Sequence, residues 1–84
     1  MNYHVVLTPR AEKELDKLPT KQRTLIISSL EGLANDPYAG KKLKGKLQGS
    51  YSLRVWPYRV VYFVVKGQRT IIIIRIAGRA RVYR

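Results

Sequence analysis

Hydrophobic positions follow two rhythms along this chain, and the change falls near its middle. In the first half apolar residues return every three or four positions, the helical period; in the second half they alternate or run together, as strands do. Ahead of both, Asn2 to Leu7 reads as a short strand, with Tyr3, Val5, Val6 and Leu7 suited to a pleated surface. Thr8-Pro9 then opens a helix, since Thr8 can cap it and Pro9 fits the first helical position, where no N–H is needed. Ala11, Leu15 and Leu18 recur on one face of that helix, while Arg10, Lys13, Glu14 and Lys17 are expected to point elsewhere. Pro19 stops it and Thr20 is placed to cap a second helix. There Ile26, Leu30 and Leu33 form an apolar stripe widened by Ile27 and Ala34, and Asn35-Asp36-Pro37 ends the helix. So short a link predicts an antiparallel helical hairpin whose mixed charges form a solvated face.

Residues 37–50 hold three glycines (40, 45 and 49) and four lysines (41, 42, 44 and 46), the composition of a loop, with Leu43 and Leu47 expected to anchor it to the core. From Tyr51 the pattern is all sheet. Tyr51 to Trp56 alternates, Pro57 marks a turn, and Tyr58 to Lys66 is a nearly unbroken apolar strand. Gly67-Gln68 signals a two-residue hairpin, and Arg69 to Ala77 is a further apolar strand. The fold class is α+β in the order β-α-α-β-β-β: an N-terminal strand, a two-helix hairpin and a three-stranded antiparallel meander. The first strand is expected to join the same sheet, because its backbone groups need partners. Residues 1–84 read as one domain.

With 84 residues the chain hides roughly 60–65% of its unfolded surface, enough for one modest core. At 45% hydrophobic and 26% charged it has a globular composition, not that of a disordered basic tail. Cysteine is absent, which excludes disulfides and thiolate metal sites, and no metal or other cofactor is expected. His4, the one histidine, stands in the first strand, where it reads as a solvated strand residue rather than a catalytic base. Nothing approaches the ~20 apolar residues of a membrane span and no signal-peptide pattern opens the chain, so a cytoplasmic location is expected.

The charge is lopsided. All five acidic residues lie between Glu12 and Asp36, balanced by five basic ones, so the formal net charge of +12 belongs entirely to residues 37–84. Such a surface repels itself and attracts polyanions. Basic residues in strand and loop patterns, rather than along an amphipathic helix, favour nucleic acid over a membrane surface as partner. Lys41, Lys42, Lys44 and Lys46 can follow a phosphate backbone or simply form a solvated linker.

Arg54, Arg59 and Arg75 fall inside strands, with Arg79 and Arg81 close behind, and no carboxylate lies in this half of the chain. A sheet face carrying Arg54, Arg59 and Arg79 suits a phosphodiester, because guanidinium presents forked donors that match phosphate oxygens. Among the aromatics Tyr51, Trp56, Tyr58, Tyr62 and Tyr83, several are expected in the core. Trp56 and Tyr83, at element ends, are the better rings for stacking on unpaired bases.

The stretch Leu43-Lys44-Gly45, then Gly49-Ser50-Tyr51-Ser52-Leu53-Arg54-Val55-Trp56-Pro57-Tyr58-Arg59-Val60-Val61-Tyr62, resembles the centre of the RelE/ParE toxin superfamily. Members there have a K-L-x-G loop, Y-R-x-R, a short turn and Y-R-V-x-Y. The ending Arg75-Ile76-Ala77-Gly78-Arg79-Ala80-Arg81-Val82-Tyr83-Arg84 is similar to the family's G-H-R-x-x-V-Y. The strand and two helices at the start also match, so the resemblance covers essentially the whole chain.

The resemblance implies the toxin of a type II toxin–antitoxin pair, neutralised by a cognate acidic antitoxin. RelE-like members cut mRNA on the ribosome through attack of the ribose 2′-OH on the neighbouring phosphate, without a metal. Arg59 matches the arginine of Y-R-V-x-Y, Arg79 that of the closing motif and Tyr83 its tyrosine, while Arg54 holds a basic position of the preceding strand. In these roles Arg59 and Arg79 would stabilise transition-state charge, Arg54 would act as an electrostatic clamp, and Tyr83 would stack on a base or hold the reacting group. Lys41, Lys42, Lys44, Lys46, Trp56 and Arg81 would contact RNA. Ser52 stands where some ribonuclease members have a second basic residue, and Gly78 where many have histidine, so the proton-transferring group stays open. Two other readings remain: a ParE-like toxin that blocks DNA gyrase, and an RNA-binding module without catalysis.

Overall fold

The structure, a computed structural model, describes residues 2–78. Arg79, Arg81 and Tyr83 therefore lie outside the described residues. The elements run β1 (His4–Leu7), α1 (Pro9–Asp16), α2 (Thr20–Asn35), β2 (Lys41–Lys42), β3 (Ser50–Val55), β4 (Tyr58–Val65) and β5 (Thr70–Gly78), with 3₁₀ turns at Gly45–Leu47 and Lys66–Gln68. All five strands share one sheet in the order β1-β5-β4-β3-β2. β1 lies parallel to β5 and the other neighbours are antiparallel. The α+β class and the β3-β4-β5 meander are as expected. β2 is an addition: two residues of the supposed loop pair with Tyr51 and Ser52.

Both helix starts follow from local chemistry, though not in the same way. Thr8 is extended and its hydroxyl accepts the Ala11 N–H at 3.2 Å, with Pro9 in the first turn. The cap expected at Thr20 is corrected. Pro19 occupies that position at φ −55° and ψ 150°, its carbonyl accepts the Arg23 N–H at 2.9 Å, and Thr20 is already helical. Ile26, Leu30 and Leu33 are buried as the stripe requires, but Ile27 is 43% exposed. One residue further on is a rotation of about 100°, which carries Ile27 off the stripe.

The core lies between the helices and one face of the sheet. Ala11, Ile26, Leu30 and Leu33 meet Val60 and Tyr62 of β4 and Ile71, Ile73 and Ile76 of β5. Ile73 and Ile76 are three apart and yet both face this core, because the β4–β5 register slips at a bulge: Val61 pairs with Arg75, and Tyr62 with Ile73. Leu43 and Leu47 do not join the core cluster. Instead they are half-buried beside Lys44 and Lys46, where the Leu43 N–H reaches the Ser50 carbonyl at 2.9 Å and the Ser50 hydroxyl donates to the Leu47 carbonyl.

The β4–β5 turn is longer than the expected two residues. Lys66–Gln68 form the 3₁₀ turn and Arg69 closes it in the left-handed region, at φ 49° and ψ 46°. The Arg69 carbonyl then accepts the His4 N–H at 2.8 Å, which joins β1 to the sheet.

β1 ends at Leu7, and the Thr8 N–H makes a bond to the Ile73 carbonyl at 3.0 Å. Past that point Glu14 of α1 takes over part of a strand's role. One of its oxygens accepts the Ile76 N–H at 2.8 Å and the other takes Arg75 Nε at 3.0 Å. Two expectations are corrected here: Glu14 is not on a solvated face, and Arg75 draws a carboxylate from the other half of the chain. Residues 11, 14, 15 and 18 form one helical stripe, so Glu14 sits among the apolar positions that dock on the sheet.

Candidate nucleic-acid interface

The register of the β3–β4 hairpin decides where the strand arginines go. Val55 pairs with Tyr58 and Leu53 with Val60, and these side chains face the helices. Arg54 and Arg59 pair directly with each other, so the period of two turns both to the opposite face. Lys41 on β2 pairs with Ser52, which is two residues before Arg54 and hence on that same face. Gly40, Lys41, Ser52, Arg54 and Arg59 line one open hollow. Ser52 is almost fully buried, Arg59 half-buried, and Arg54 and Lys41 exposed.

Electrostatically the hollow is one-sided. Like charges directly opposite across two strands repel. Among the described residues Glu14 is engaged with Arg75 and Ile76, and Asp36 borders a neighbouring hollow that Arg54 also lines, outside the one that holds Lys41 and Arg59. Arg54 lies against the ring of Trp56, its guanidinium carbon 5.5 Å from the ring centroid, close enough for a cation–π contact. Trp56 is 62% exposed at the Trp56-Pro57 turn. The ring read as a base-stacking platform thus also steers an arginine. An oxyanion with several acceptor atoms is what this arrangement can hold.

A buried phenol supports the rim. Tyr62 is fully buried, and its hydroxyl accepts the Gly40 N–H at 2.9 Å. Burial pushes that phenol above the usual tyrosine range, with the Gly40 bond opposing the shift. Tyr62 stacks on Tyr51 with centroids 5.6 Å apart, and Tyr38 meets Tyr51 edge-on at 5.5 Å. Tyr51, Tyr58 and Tyr62 are packing residues on the helix side. At Gly40 a β-carbon would stand 2.7 Å from the Tyr62 hydroxyl and 2.9 Å from the Ser52 carbonyl oxygen, so only glycine fits.

The four lysines do not form one patch. Lys41 shares the arginine hollow, Lys42 pairs with Tyr51 and so points to the other side of β2, and Lys44 and Lys46 border a separate hollow. His4 is exposed on β1, opposite Thr70. Among the described residues no three His, Asp or Glu side chains come together to hold a metal. Arg79, Arg81 and Tyr83 come after Gly78, which is one register step past the Arg59–Ala77 pair. Sequence reading missed Gly40, Tyr62 and Glu14. The stripe spacing of Glu14 was a usable signal; for the Gly40–Tyr62 contact the sequence holds none.

A small basic α+β sheet protein with this meander defines a class, and the comparisons agree. The family described as the ParE toxin of the type II toxin–antitoxin system parDE matches residues 5–83. The chain belongs to this family, within the RelE/ParE superfamily of toxins. Toxin RelE of Mycobacterium tuberculosis is 39% identical over 84 residues, covering 98% of this chain and 87% of that protein. Toxin RelG of the same organism is 34% identical, covering 100% and 99%. A chain in the crystal structure of the M. tuberculosis toxin–antitoxin complex RelBE2 superposes with a TM-score of 0.87 at 30% identity, covering 94% of this chain and all of that one. A chain in the archaeal RelE–RelB complex from Pyrococcus horikoshii gives 0.82 at 27% identity, covering 96% and 99%.

Proposed function

We propose that this toxin is a ribosome-dependent mRNA endonuclease. The observation that carries the reading is the cross-strand Arg54–Arg59 pair, with Lys41 beside it, in one hollow on the face turned away from the helices. In the reaction the 2′-oxygen bonds to phosphorus and the bond to the 5′-oxygen breaks. The products are a 2′,3′-cyclic phosphate and a 5′-hydroxyl, the proton leaving the 2′-oxygen and one arriving on the 5′-oxygen. Arg59 and Arg54 stabilise the charge that builds on the non-bridging oxygens, which is worth most where water is excluded. Arg79 and Tyr83 complete the site in the roles their motif suggests, Arg81 contacts RNA as its place in that motif suggests, and Lys42, Lys44 and Lys46 contact RNA further from the reacting phosphate. The ribosome orients the message, and the protein acts in the cytoplasm.

The partner is a cognate acidic antitoxin. Solved relatives in this fold include toxin–antitoxin complexes, and a chain of net charge +12 is complementary to an acidic segment. The family's description as ParE toxin favours a second reading, inhibition of gyrase through protein contact.

Induced expression in a bacterial host, with primer extension on one mRNA with and without its start codon, separates these readings. Cuts confined to the translated message, and lost in Arg59→Ala, are the expected result. Growth arrest with intact mRNA favours the gyrase reading. Absence of both arrest and cuts leaves a binding module.

A further inference from the structure

Lys41 stands apart from the other lysines in how it is held. Its strand is only two residues long and pairs on one side only, so two ladder positions are a weak hold. The residue before it supplies the rest. The Gly40 N–H is bonded to the hydroxyl of Tyr62, a side chain with no exposed surface that is stacked on Tyr51. The missing β-carbon of Gly40 lets the backbone come this close to both Tyr62 and the Ser52 carbonyl. A fixed phenol, a backbone contact without slack and a two-rung ladder together set where the next side chain starts. That side chain enters the hollow opposite Ser52, whose short hydroxyl leaves the space between Lys41 and the arginines unfilled.

We propose that Tyr62 is a positioning residue which, through Gly40, holds Lys41 as the third cation on the RNA phosphate bound by Arg54 and Arg59. The inference rests on the ribonuclease reading above and deepens it. Lys41 becomes part of the reacting site rather than of a general basic loop. Three cations around one phosphate can engage both non-bridging oxygens and one bridging oxygen, whereas two guanidinium groups on neighbouring strands approach from one side. A lysine also brings a compact ammonium with three donors, free to follow the phosphate as it changes geometry.

The test uses ribosomes programmed with a message whose target codon carries a 2′-deoxyribose and so binds without being cut. Affinity is measured against salt for the wild type, Lys41→Gln, Tyr62→Phe and the double variant. Loss of one phosphate contact by Lys41→Gln should weaken binding about tenfold and flatten the salt slope by about one. Tyr62→Phe keeps the ring and removes the hydroxyl. It should weaken binding several-fold in the wild-type background and not at all beside Lys41→Gln, the non-additivity expected of a residue acting through another. Faster hydrogen exchange at the Gly40 amide in Tyr62→Phe should accompany the loss. An equal effect of Tyr62→Phe in both backgrounds, or an unchanged salt slope in Lys41→Gln, overturns the proposal. Wild-type cutting of the all-ribose message is measured in parallel. Cutting with an additive cycle rejects only the Lys41 placement, whereas neither cutting nor binding rejects the ribonuclease reading and this inference with it.

Discussion

Replacing Glu14 by alanine removes the Arg75 ion pair and the Ile76 hydrogen bond, along with an exposed pair to Arg10 at 3.9 Å that adds little, and their sizes follow from burial. The Glu14 and Arg75 side chains keep 20% and 11% of their exposure, so the pair is neither a surface ion pair nor fully dry. Surface pairs contribute about 0–1 kcal/mol, whereas removing one partner of a buried pair costs about 3–5 kcal/mol. About 1–2 kcal/mol is a reasonable share for this one. Leaving the Ile76 N–H without its acceptor adds about 1–3 kcal/mol. Alanine's better helix propensity returns a few tenths, for a net loss of about 2–4 kcal/mol. An 84-residue protein has about 4–12 kcal/mol in total, so the loss is a large fraction of it. Glu14→Gln separates the two parts, because its amide oxygen still accepts from Ile76 while its NH2 turns a donor toward Arg75, so the charge and the Arg75 hydrogen bond are lost together; about 1–2 kcal/mol is expected. Urea denaturation with a shared m-value gives both numbers, and in a thermal scan Glu14→Ala should melt roughly 10–25 °C lower. Equal losses in the two variants would mean that the Ile76 bond contributes nothing. A loss under about 0.5 kcal/mol in Glu14→Ala would remove the carboxylate from the account of how β5 is held.

Three further outcomes are open to direct measurement. Gly40→Ala forces a methyl group against the Tyr62 hydroxyl and the Ser52 carbonyl, and should lower the urea-derived stability by about 1–3 kcal/mol. Because burial raises the Tyr62 phenol above 10.0, the unfolded chain gives up that proton at a pH where the folded chain keeps it. Stability should therefore fall as pH rises past about 10, and Tyr62→Phe should lose less stability than the wild type between about pH 8 and pH 11; parallel curves would refute this. Arg59→Gln relieves the direct repulsion from Arg54, worth about 0.2–1 kcal/mol, so its stability relative to the wild type should be more favourable in low salt than in high salt, and a salt-independent difference would count against the repulsion.

Local rules made most of this fold readable from sequence. The Thr8-Pro9 start needs only four neighbouring residues, the α2 stripe only a period, and β3 to β5 only apolar runs with turns between them. Strand alternation was enough to put Arg54 and Arg59 on the same sheet face as one another, because a two-residue turn fixes their register. What escaped depends on residues far apart in the chain. The Gly40–Tyr62 bond spans 22 positions, and Glu14 reaches Arg75 and Ile76 across 61 and 62. β2 escaped because a strand of two lysines has no apolar pattern of its own, and its pairing is set by β3. Thr20 misled for a different reason. Its residue type suits a cap, but Pro19, with no N–H and a fixed φ, was already positioned to lead the chain into the helix.

The two sheet faces divide the packed core from the clustered cations. The face toward the helices is closed by aliphatic side chains and by tyrosines that use their rings, and in Tyr62 the hydroxyl as well, for packing. That leaves the opposite face free to carry charges that do nothing for the fold. Arg75, two residues past the end of β5's pairing with β1, is neutralised by the helix that docks there. Arg54 and Arg59 have no such neighbour on the strands that carry them, and their repulsion is tolerated because the β3–β4 ladder and the core beneath hold both strands whatever the charges do. A ligand that supplies negative charge at this point gains the attraction of preplaced cations without having to order them. It also relieves the repulsion, so binding and folding strengthen each other. On the function proposed above, an acidic antitoxin segment and an RNA phosphate would both exploit that gain, which gives a physical reason why one would exclude the other.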